Sequence, residues 1–409
     1  MSASGVASAV APNPEPGGMA EAGVPVAGRR RVESVDILRG LVMVLMALDH
    51  TRDYFTIVRF DPLDLTQTNP ALFYTRWITH LCAPAFVFLS GTGAFLSTQR
   101  GKTKAELSRF LWTRGLWLIF LELTVVRFAW AFNFDYARET FLQVIWALGW
   151  SMIVLAGLIR LPTRAIAAFG LIMVAGHNLL DPITPEVFGG HGPTSYGFWG
   201  WVWIALHVQV FPFVYPLIPW IGVMALGYVF GGIYSWDAEK RQRFLWRLSA
   251  LVIVGFIVLR YIDRYGDPGY WHPQASGIFT VMSFMNLQKY PPSLLYLMAT
   301  LGPCFGMLAV FERWSGPVTR FFMVYGKVPM FYYILHLYLI HATALVVGVL
   351  AGFSLRTFLD AGFFYPPDWG YNLGVVYLVW ISVVLALYVP CRWFARVKAT
   401  NRAWWLSYL

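Results

Sequence analysis

The sequence predicts an all-α protein, a polytopic integral membrane bundle of about ten transmembrane helices with both termini in the cytoplasm. The first observation is the composition: the 409-residue chain is 58% hydrophobic and only 13% charged, whereas a soluble protein is about one-quarter charged. The second is a series of apolar runs of about 20 residues, the length that crosses the hydrocarbon core of a bilayer. The third is an uneven distribution of basic residues between alternate ends of those runs.

Ten apolar runs are long enough to be predicted as spans. They cover residues 34–54, 73–97, 109–132, 140–159, 163–181, 208–234, 245–263, 291–311, 319–347 and 372–391. The ninth run is expected to kink at Pro329, because proline removes a backbone donor inside a helix. Three connections, 55–72, 182–207 and 264–290, are rich in Trp, Tyr, Gly and Pro, and we expect them to form short interfacial helices or re-entrant loops.

Basic residues indicate on which side of the membrane each connection lies. With a cytoplasmic N-terminus, twenty basic residues flank the predicted inner ends of the helices and seven flank the outer ends, as the positive-inside rule requires. The net charge of +10 therefore reflects membrane topology, and no nucleic-acid partner is expected. The lipid bilayer is the expected environment.

The chain is expected to comprise one membrane domain, 31–395, between two short cytoplasmic tails, 1–30 and 396–409. The N-terminal tail is predicted to be disordered, because its Ala-, Gly- and Pro-rich composition supports neither a core nor a signal peptide. The three cysteines, Cys82, Cys304 and Cys391, fall in three different predicted helices. Their spacing indicates neither a disulfide nor a zinc site, and no metal is expected.

Three histidines within or at the ends of predicted spans are candidate catalytic residues. Ionisable groups inside a membrane bundle are costly and usually functional, and histidine titrates near neutral pH, as a general base or acid must. His50 ends the first span, His80 lies within the second, and His336 lies near the middle of the ninth. The other histidines fall towards the outer side, where interfacial or packing roles are the simpler interpretation; they are His177, His191, His207, His272 and His341.

The first span has a geometry that follows from helical phase alone. Arg39 and His50 are eleven residues apart, which is about three turns, so both project from one face with a rise of roughly 16 Å. Asp36 lies three residues before Arg39 and Asp53 lies three residues after His50, so each carboxylate is predicted to reach its neighbour. A plainer interpretation, a charged anchor at each end of a helix, accounts for Arg39 better than for the His–Asp pair.

Two other functional classes remain open from the residues alone. The outer histidines with Asp53, Arg127 and Arg260 form a candidate proton relay, which would suit a proton-coupled transporter or channel. A scaffold or sensor without chemistry would tolerate replacement of the histidines. No Walker-type phosphate loop, HExxH or GxSxG motif is present.

Three stretches carry a family resemblance: "SVDILRGLVMVLMALDH", "RWITHLCAPAFVFLSGTGAFL" and "YPLIPWIGVMALGYVFG". Over about residues 30–390 the chain resembles bacterial relatives of the heparan-α-glucosaminide N-acetyltransferase catalytic domain. A weaker similarity to acyltransferase family three rests on Asp36, Arg39, Gly40 and His50, and on His336 in "GKVPMFYYILH".

The resemblance implies a membrane acyltransferase of the bacterial plasma membrane. Cytosolic acyl-CoA, commonly acetyl-CoA, would donate an acyl group to a hydroxyl or amine of a carbohydrate or cell-envelope acceptor on the far side, and a homodimer is compatible with this. Donor phosphates would be held among Asp36, Arg39, Arg109, Arg114 and Lys327, because arginine matches phosphate geometry.

The resemblance implies that His50 and His336 are catalytic. We add His80 as a second candidate base and Asp53 as the residue that orients His50. Arg76, Tyr332 and His336 are candidate oxyanion donors.

The chain departs from the lysosomal branch of this family at the base. That branch carries its reactive histidine in the loop after the first helix, whereas residues 56–72 contain no histidine here. The place of His50 is taken by an asparagine in that branch, and His80 stands in place of an aspartate. The base therefore stays open between His50 and His80, as does the choice between direct transfer and an acyl-histidine intermediate.

Overall fold

The computed structural model describes Met1 and residues 32–190, 192–361, 365–366, 368–401 and 403–408. These residues form helices joined by loops, with isolated β-bridges and no β-sheet among them. The helices are α1 (Glu33–Phe55), α2 (Pro70–Ile78), α3 (Cys82–Thr98), α4 (Lys104–Leu121), α5 (Arg127–Ala131), α6 (Val144–Leu158), α7 (Thr163–Gly176), α8 (Phe198–His207), α9 (Leu217–Phe230), α10 (Ala238–Ile262), α11 (Gly277–Met285), α12 (Leu294–Phe311), α13 (Pro317–Lys327), α14 (Pro329–Leu350), α15 (Leu355–Ala361) and α16 (Leu373–Thr400).

The all-α, multi-pass prediction is confirmed, and every predicted span coincides with a helix. Within the described residues, seven helical segments are long and apolar enough to cross a membrane. They are Pro70–Thr98, Thr163–Leu180, Leu217–Ser235, Ala238–Ile262, Leu294–Phe311, Pro329–Leu350 and Leu373–Thr400. The other three predicted spans fall on α1, on α4 with α5, and on the shorter α6. The tail predicted for residues 2–30, and His191, lie outside the described residues.

Two predicted boundaries can be compared with the structure directly. The kink at Pro329 is confirmed as a break: Val328 leaves helical geometry (φ −135°, ψ 50°), and Pro329 begins α14. The predicted helical start at residue 208 is wrong, because α9 begins at Leu217. Pro212 and Pro216 lack the N–H groups that a helix through 208–216 would need.

Burial separates helices inside the bundle from helices on its perimeter. In the most apolar windows of α7, α10 and α16 only 22% of residues are buried, against 72% for α9 and α12. The helix α1 is buried along most of its length and contacts α3, α12, α13, α14 and α16. Its ionisable side chains therefore face protein rather than lipid, which is how a membrane bundle tolerates them.

Helices alternate in direction, so the bundle has two chemically distinct ends. At the end where α1 and α4 begin and α16 finishes, cavities are lined by lysines and arginines; we call this the basic end. At the opposite end lie the long connections 56–69, 181–197, 208–216 and 263–276; we call this the loop-rich end. There the end of α1 meets the start of α16, where the Ile57 N–H donates to the Tyr371 carbonyl at 3.0 Å.

Two glycines allow α1 and α13 to cross with their backbones in contact. A Cβ atom placed on Gly40 of α1 would lie 1.8 Å from the Phe322 carbonyl oxygen, and one placed on Gly326 of α13 would lie 1.8 Å from the backbone carbonyl oxygen of Asp36. Only glycine permits this approach of two backbones, as in small-residue helix contacts in membranes. The crossing holds α1 against α13 beside Asp36 and Arg39. In "GTGAFL", Gly91 likewise serves helix packing, because its Cβ would lie 2.1 Å from the Met224 oxygen of α9.

We predict that Gly326→Ala destabilises the protein by about 1–3 kcal/mol or more, because the added methyl overpacks a backbone contact. Gly157→Ala is the matched control, since a Cβ there meets no atom within 4 Å. Thermal unfolding of the two variants in detergent compares them. Equal melting temperatures would contradict the assigned role of the crossing.

Candidate active site

Arg39 lines a narrow cavity inside the bundle, towards its basic end. Its Nη1 is 3.1 Å from Asp36 Oδ1 and its Nη2 donates to the Leu89 carbonyl at 3.3 Å, which confirms the predicted Asp36–Arg39 contact. The cavity measures about 170 Å³ and is also lined by Arg114. Two guanidinium groups in a cavity walled mainly by apolar side chains form a suitable environment for phosphate oxygens.

A larger cavity of about 680 Å³ opens beside the first. Phe110 lines both. Besides Phe110, the larger one brings together three cations and two further aromatic side chains, which are Lys102, Arg109, Lys398, Trp404 and Tyr408. Cations suit phosphates, and an aromatic ring offers a stacking surface for a base. The two cavities together therefore offer cations for phosphate oxygens and aromatic surface for a base.

Lys327 lies apart from the other candidate donor-binding residues. It lines a different cavity of about 840 Å³, with Ile37 and Arg320 among the other lining residues. Ile37 precedes Arg39 by two residues, which is about 200° around α1, so the two cavities open on opposite sides of that helix. The predicted donor set is therefore divided, with Arg39, Arg109 and Arg114 on one side of α1 and Lys327 on the other.

His50 and His336 form a buried hydrogen-bonded pair. His50 Nδ1 lies 2.7 Å from His336 Nε2, and the two rings are nearly parallel, with centroids 4.9 Å apart and 9° between their planes. His336 Nδ1 lies 2.8 Å from the Tyr332 carbonyl oxygen. A carbonyl only accepts, so His336 Nδ1 carries the proton and the Nε2 of a neutral ring is an acceptor. His50 Nδ1–H must then donate, which leaves a lone pair on His50 Nε2.

This hydrogen-bond chain gives His50 the properties of an oriented general base. It follows the logic of a triad, in which a third group holds the imidazole in one tautomer. His336 is fully buried, whereas His50 keeps 8% of its surface exposed. Trp130 packs edge-on to the His50 ring at 4.9 Å.

The first turns of α14 connect the Arg39 cavity to the histidine pair. Met330 lines that cavity, Tyr333 lies next to His50 with ring centroids 6.0 Å apart, and His336 follows. Residues three apart share a helix face, and six residues rise roughly 9 Å. On α1 the corresponding ends are Arg39 and His50, so two helices run from the cavity to the pair.

The predicted contact between Asp53 and His50 is wrong. Asp53 Oδ1 instead accepts from Arg52 Nη2 at 2.5 Å. Arg52 also lies 3.1 Å from Asp49, and Arg76 Nη1 meets both Asp49 oxygens at 2.7 Å. The physical reason is charge pairing: two arginines satisfy both carboxylates, and the imidazole finds its partner on α14 instead.

His80 lines a polar cavity at the loop-rich end. This cavity measures about 610 Å³. Its wall includes Arg76, Lys289 and amide and carboxylate side chains, which are Asp61, Asp64, Asp267, Gln274, Asn286 and Gln288. The His80 ring is 1% exposed, and neither of its nitrogens has a hydrogen-bond partner among the described residues. A buried imidazole without partners is costly, and a polar ligand in this cavity would satisfy it.

Two of the three carboxyl groups of this cavity differ in their titration. Hydrogen bonds from Thr66 and Gln67 lower the pKa of the exposed Asp64 below its usual value. Burial raises the pKa of Asp267 despite hydrogen bonds from Ser293 and from backbone N–H groups. Asp64 therefore presents a firmly ionised carboxylate at the cavity wall, while Asp267 is held within the wall.

Arg127 and Arg260, the cations of the candidate proton relay, are occupied in holding loops. Arg127 donates to Asn133, Asp135 and Glu139 in the segment that follows α5. Arg260 donates to four backbone carbonyls, those of Gly269, Ser283, Phe284 and Asn286. Among the described contacts neither arginine reaches a histidine. The two arginines therefore do not connect the histidines into the proton relay that was considered.

Two features of the site were not anticipated from sequence. The first is the pairing of His50 with His336, which are 286 residues apart. The second is the polar cavity built from residues of three separate connections. The one local signal is the spacing of Tyr332 and His336, which places the ring nitrogen one helical turn from the carbonyl that fixes its tautomer.

Comparison with known proteins identifies the family. The family model described as "Heparan-alpha-glucosaminide N-acetyltransferase, catalytic" matches residues 31–260. That region includes Arg39, His50 and His80, and His336 lies beyond it. A search among curated proteins gave no match. The chain belongs to the heparan-alpha-glucosaminide N-acetyltransferase catalytic family, which implies a multi-pass membrane acetyltransferase that uses acetyl-CoA.

Proposed function

We propose that this protein transfers the acetyl group of cytosolic acetyl-CoA to a hydroxyl or amine of a sugar-type acceptor on the other side of a bacterial plasma membrane. The observation that carries this is the position of the His50–His336 pair, 2.7 Å apart, at the far end of α1 from Arg39. A donor cavity, an oriented base and a polar acceptor cavity then follow one another along the bundle.

The orientation follows from the charges. The basic end would face the cytoplasm, because lysine and arginine concentrate on that side of a membrane. The loop-rich end would face outward, and the chain would cross ten times, with α1, α4–α5 and α6 as the three spans that are too charged or too short by composition alone. Both termini would then be cytoplasmic.

Each part of the bundle has a role in the transfer. Acetyl-CoA, when bound, supplies an acyl group activated as a thioester. Arg39 and Arg114 hold its phosphates near the basic end. His50 Nε2 takes the proton of the attacking acceptor, and His336 keeps His50 in the correct tautomer. His80 contacts the acceptor in the polar cavity.

We predict that His50→Ala lowers kcat for release of CoA thiol by about 10²–10⁴-fold, which is the usual contribution of a general base. Acetyl-CoA affinity should stay unchanged, because His50 lies away from the phosphate site. Glucosamine and a panel of amino and hydroxy sugars serve as acceptors. His336→Ala should lower kcat less, since it acts through His50.

The matched control is His341→Asn on the same helix. His341 Nδ1 lies 2.8 Å from the Ala129 carbonyl, and an asparagine amide can keep that bond. Full activity of His50→Ala would refute the assigned base. Loss of activity in the control as well would indicate that the buried histidines act through folding.

We predict that Arg39→Gln and Arg114→Gln each weaken acetyl-CoA binding by about tenfold to a hundredfold, because each removes a charge-assisted hydrogen bond. Lys327→Gln and Arg320→Gln line the other basic cavity and should leave the Kd unchanged. Isothermal titration calorimetry with acetyl-CoA measures the Kd of all four variants. If the Lys327 pair weakened binding and the Arg39 pair did not, the donor site would belong to the other cavity.

We predict that His80→Ala raises the KM for the acceptor by at least about tenfold while kcat changes less, because the variant loses a contact in the acceptor cavity. Steady-state kinetics at saturating acetyl-CoA give the two constants separately. A collapse of kcat at constant KM would instead make His80 the base.

A further inference from the structure

Two histidines and an aspartate converge at the loop-rich end, away from the proposed transfer site. His177 begins the 3₁₀ turn that follows α7, Asp181 comes directly after that turn, and His207 is the last residue of α8. One ligand atom from each of the three side chains lies within 4.8 Å of the other two. Asp181 lies four positions after His177, at the end of the same short turn.

The geometry of this cluster resembles a ligand set more than a packing contact. His207 Nε2 lies 3.1 Å from Asp181 Oδ1. The two imidazole rings meet edge to face, with centroids 5.6 Å apart and an interplanar angle of 73°. Ligand atoms on a tetrahedral ion with bonds of 2.0–2.1 Å are about 3.3 Å apart. One edge already has that length, and ring rotation would bring in the third atom.

The cluster also contains buried nitrogens that lack hydrogen bonds. His177 and His207 are each 2% exposed. Nδ1 of His207 has no hydrogen-bond partner among the described residues, and the His177 ring approaches the Pro292 carbonyl without a well-aligned hydrogen bond. Buried polar atoms without partners are uncommon and need an explanation. The Asp181 side chain is 23% exposed, so the cluster is accessible from that side.

We propose that His177, Asp181 and His207 bind one first-row divalent metal ion, with Zn²⁺ the best match. Two imidazoles and one carboxylate are a donor set that zinc accepts, with a fourth position left for water. Calcium and magnesium prefer oxygen ligands in larger number. The three residues supply too few oxygens for either of those ions.

The contacts around the cluster tie it to a neighbouring helix. Asn178 Nδ2 donates to Asp181 Oδ2 at 2.9 Å, and Asn178 Oδ1 accepts from the Leu294 N–H at 3.0 Å. The aspartate is thus tied to the start of α12. Partners that orient a ligand in this way are usual around metal sites. Gln209, two residues after His207, lines the polar cavity, so a metal here would anchor the wall of that cavity.

None of the three ligand residues lines the donor cavities or the polar cavity, or belongs to the His50–His336 pair, so metal binding can be tested separately from acetyl transfer. It also departs from the expectation of no metal, which rested on cysteine spacing. His207 lies 26 residues after Asp181, so tertiary structure rather than local spacing brings the two side chains together.

The test begins with the full-length protein in detergent, stripped with a chelator and dialysed. Titration with Zn²⁺ should saturate at one ion per chain, both by calorimetry and by metal content after gel filtration. Co²⁺ substitution should give visible bands of a four- or five-coordinate site without a thiolate charge-transfer band, because all three cysteines are buried elsewhere. Absence of a stoichiometric site would overturn the proposal, and weak binding of several ions would do the same.

Variants then assign the ligands. His177→Gln, His207→Gln and Asp181→Asn should each weaken Zn²⁺ binding by at least about 100-fold, because losing an outer-shell partner alone costs 10–100-fold. His272→Gln is the control, since it removes an exposed histidine at the same end of the bundle and should retain one tight ion. Wild-type affinity in the three ligand variants would overturn the assignment.

Folding of each variant is checked by gel filtration and by acetyl-CoA binding. Zn²⁺ should raise the melting temperature of the wild-type protein and of His272→Gln but not of Asp181→Asn. If a histidine variant did not fold, Asp181→Asn, which keeps the size of the side chain, and the wild-type Co²⁺ spectrum would decide the question.

Discussion

The burial of α1 is the constraint on which the rest of the structure depends. This helix carries Asp36, Arg39, Asp49, His50 and Arg52, and such side chains cannot face hydrocarbon without a large cost. They are tolerated because α3, α12, α13, α14 and α16 surround the helix. Between α1 and α13 the two backbones touch directly, because Gly40 and Gly326 have no side chains to hold them apart. A helix that is unsuitable as a lipid-facing span is thereby made the centre of the bundle.

The enclosure of α1 also determines how its charges are used. Near the loop-rich end, Asp49 and Asp53 are satisfied by Arg52 and Arg76, so the imidazole of His50 is left to a neutral partner. A histidine partner fixes the tautomer without adding a charge, whereas an aspartate would stabilise the protonated ring. The site therefore couples one neutral imidazole to another, and the terminal acceptor of the chain is a helix carbonyl, that of Tyr332.

The family match and the geometry bear on different parts of the chain. The matched region ends at residue 260, so it contains the donor arginines, His50 and His80. His336 comes from α14, and much of the polar cavity comes from the connection before α12. The region that carries the family signature thus supplies His50, the proposed base, and the later helices complete its environment. This division explains why the motif around His50 is recognisable while its partner is not evident from the same stretch.

The sequence alone determined the membrane-helical class, the positions of the apolar helices, the break at Pro329 and the shared face of Arg39 and His50. These are local properties, set by hydropathy, proline chemistry and helical phase, all of which act within a few turns. It also predicted the Asp36–Arg39 contact, because three residues along a helix fix that distance. Tertiary structure alone decided that His50 pairs with His336 rather than Asp53, and that Lys327 opens into a different cavity from Arg39. It also brought His177, Asp181 and His207 together. Each of these depends on which helices pack side by side, and on competition between distant partners for the same polar atom, which no local pattern encodes.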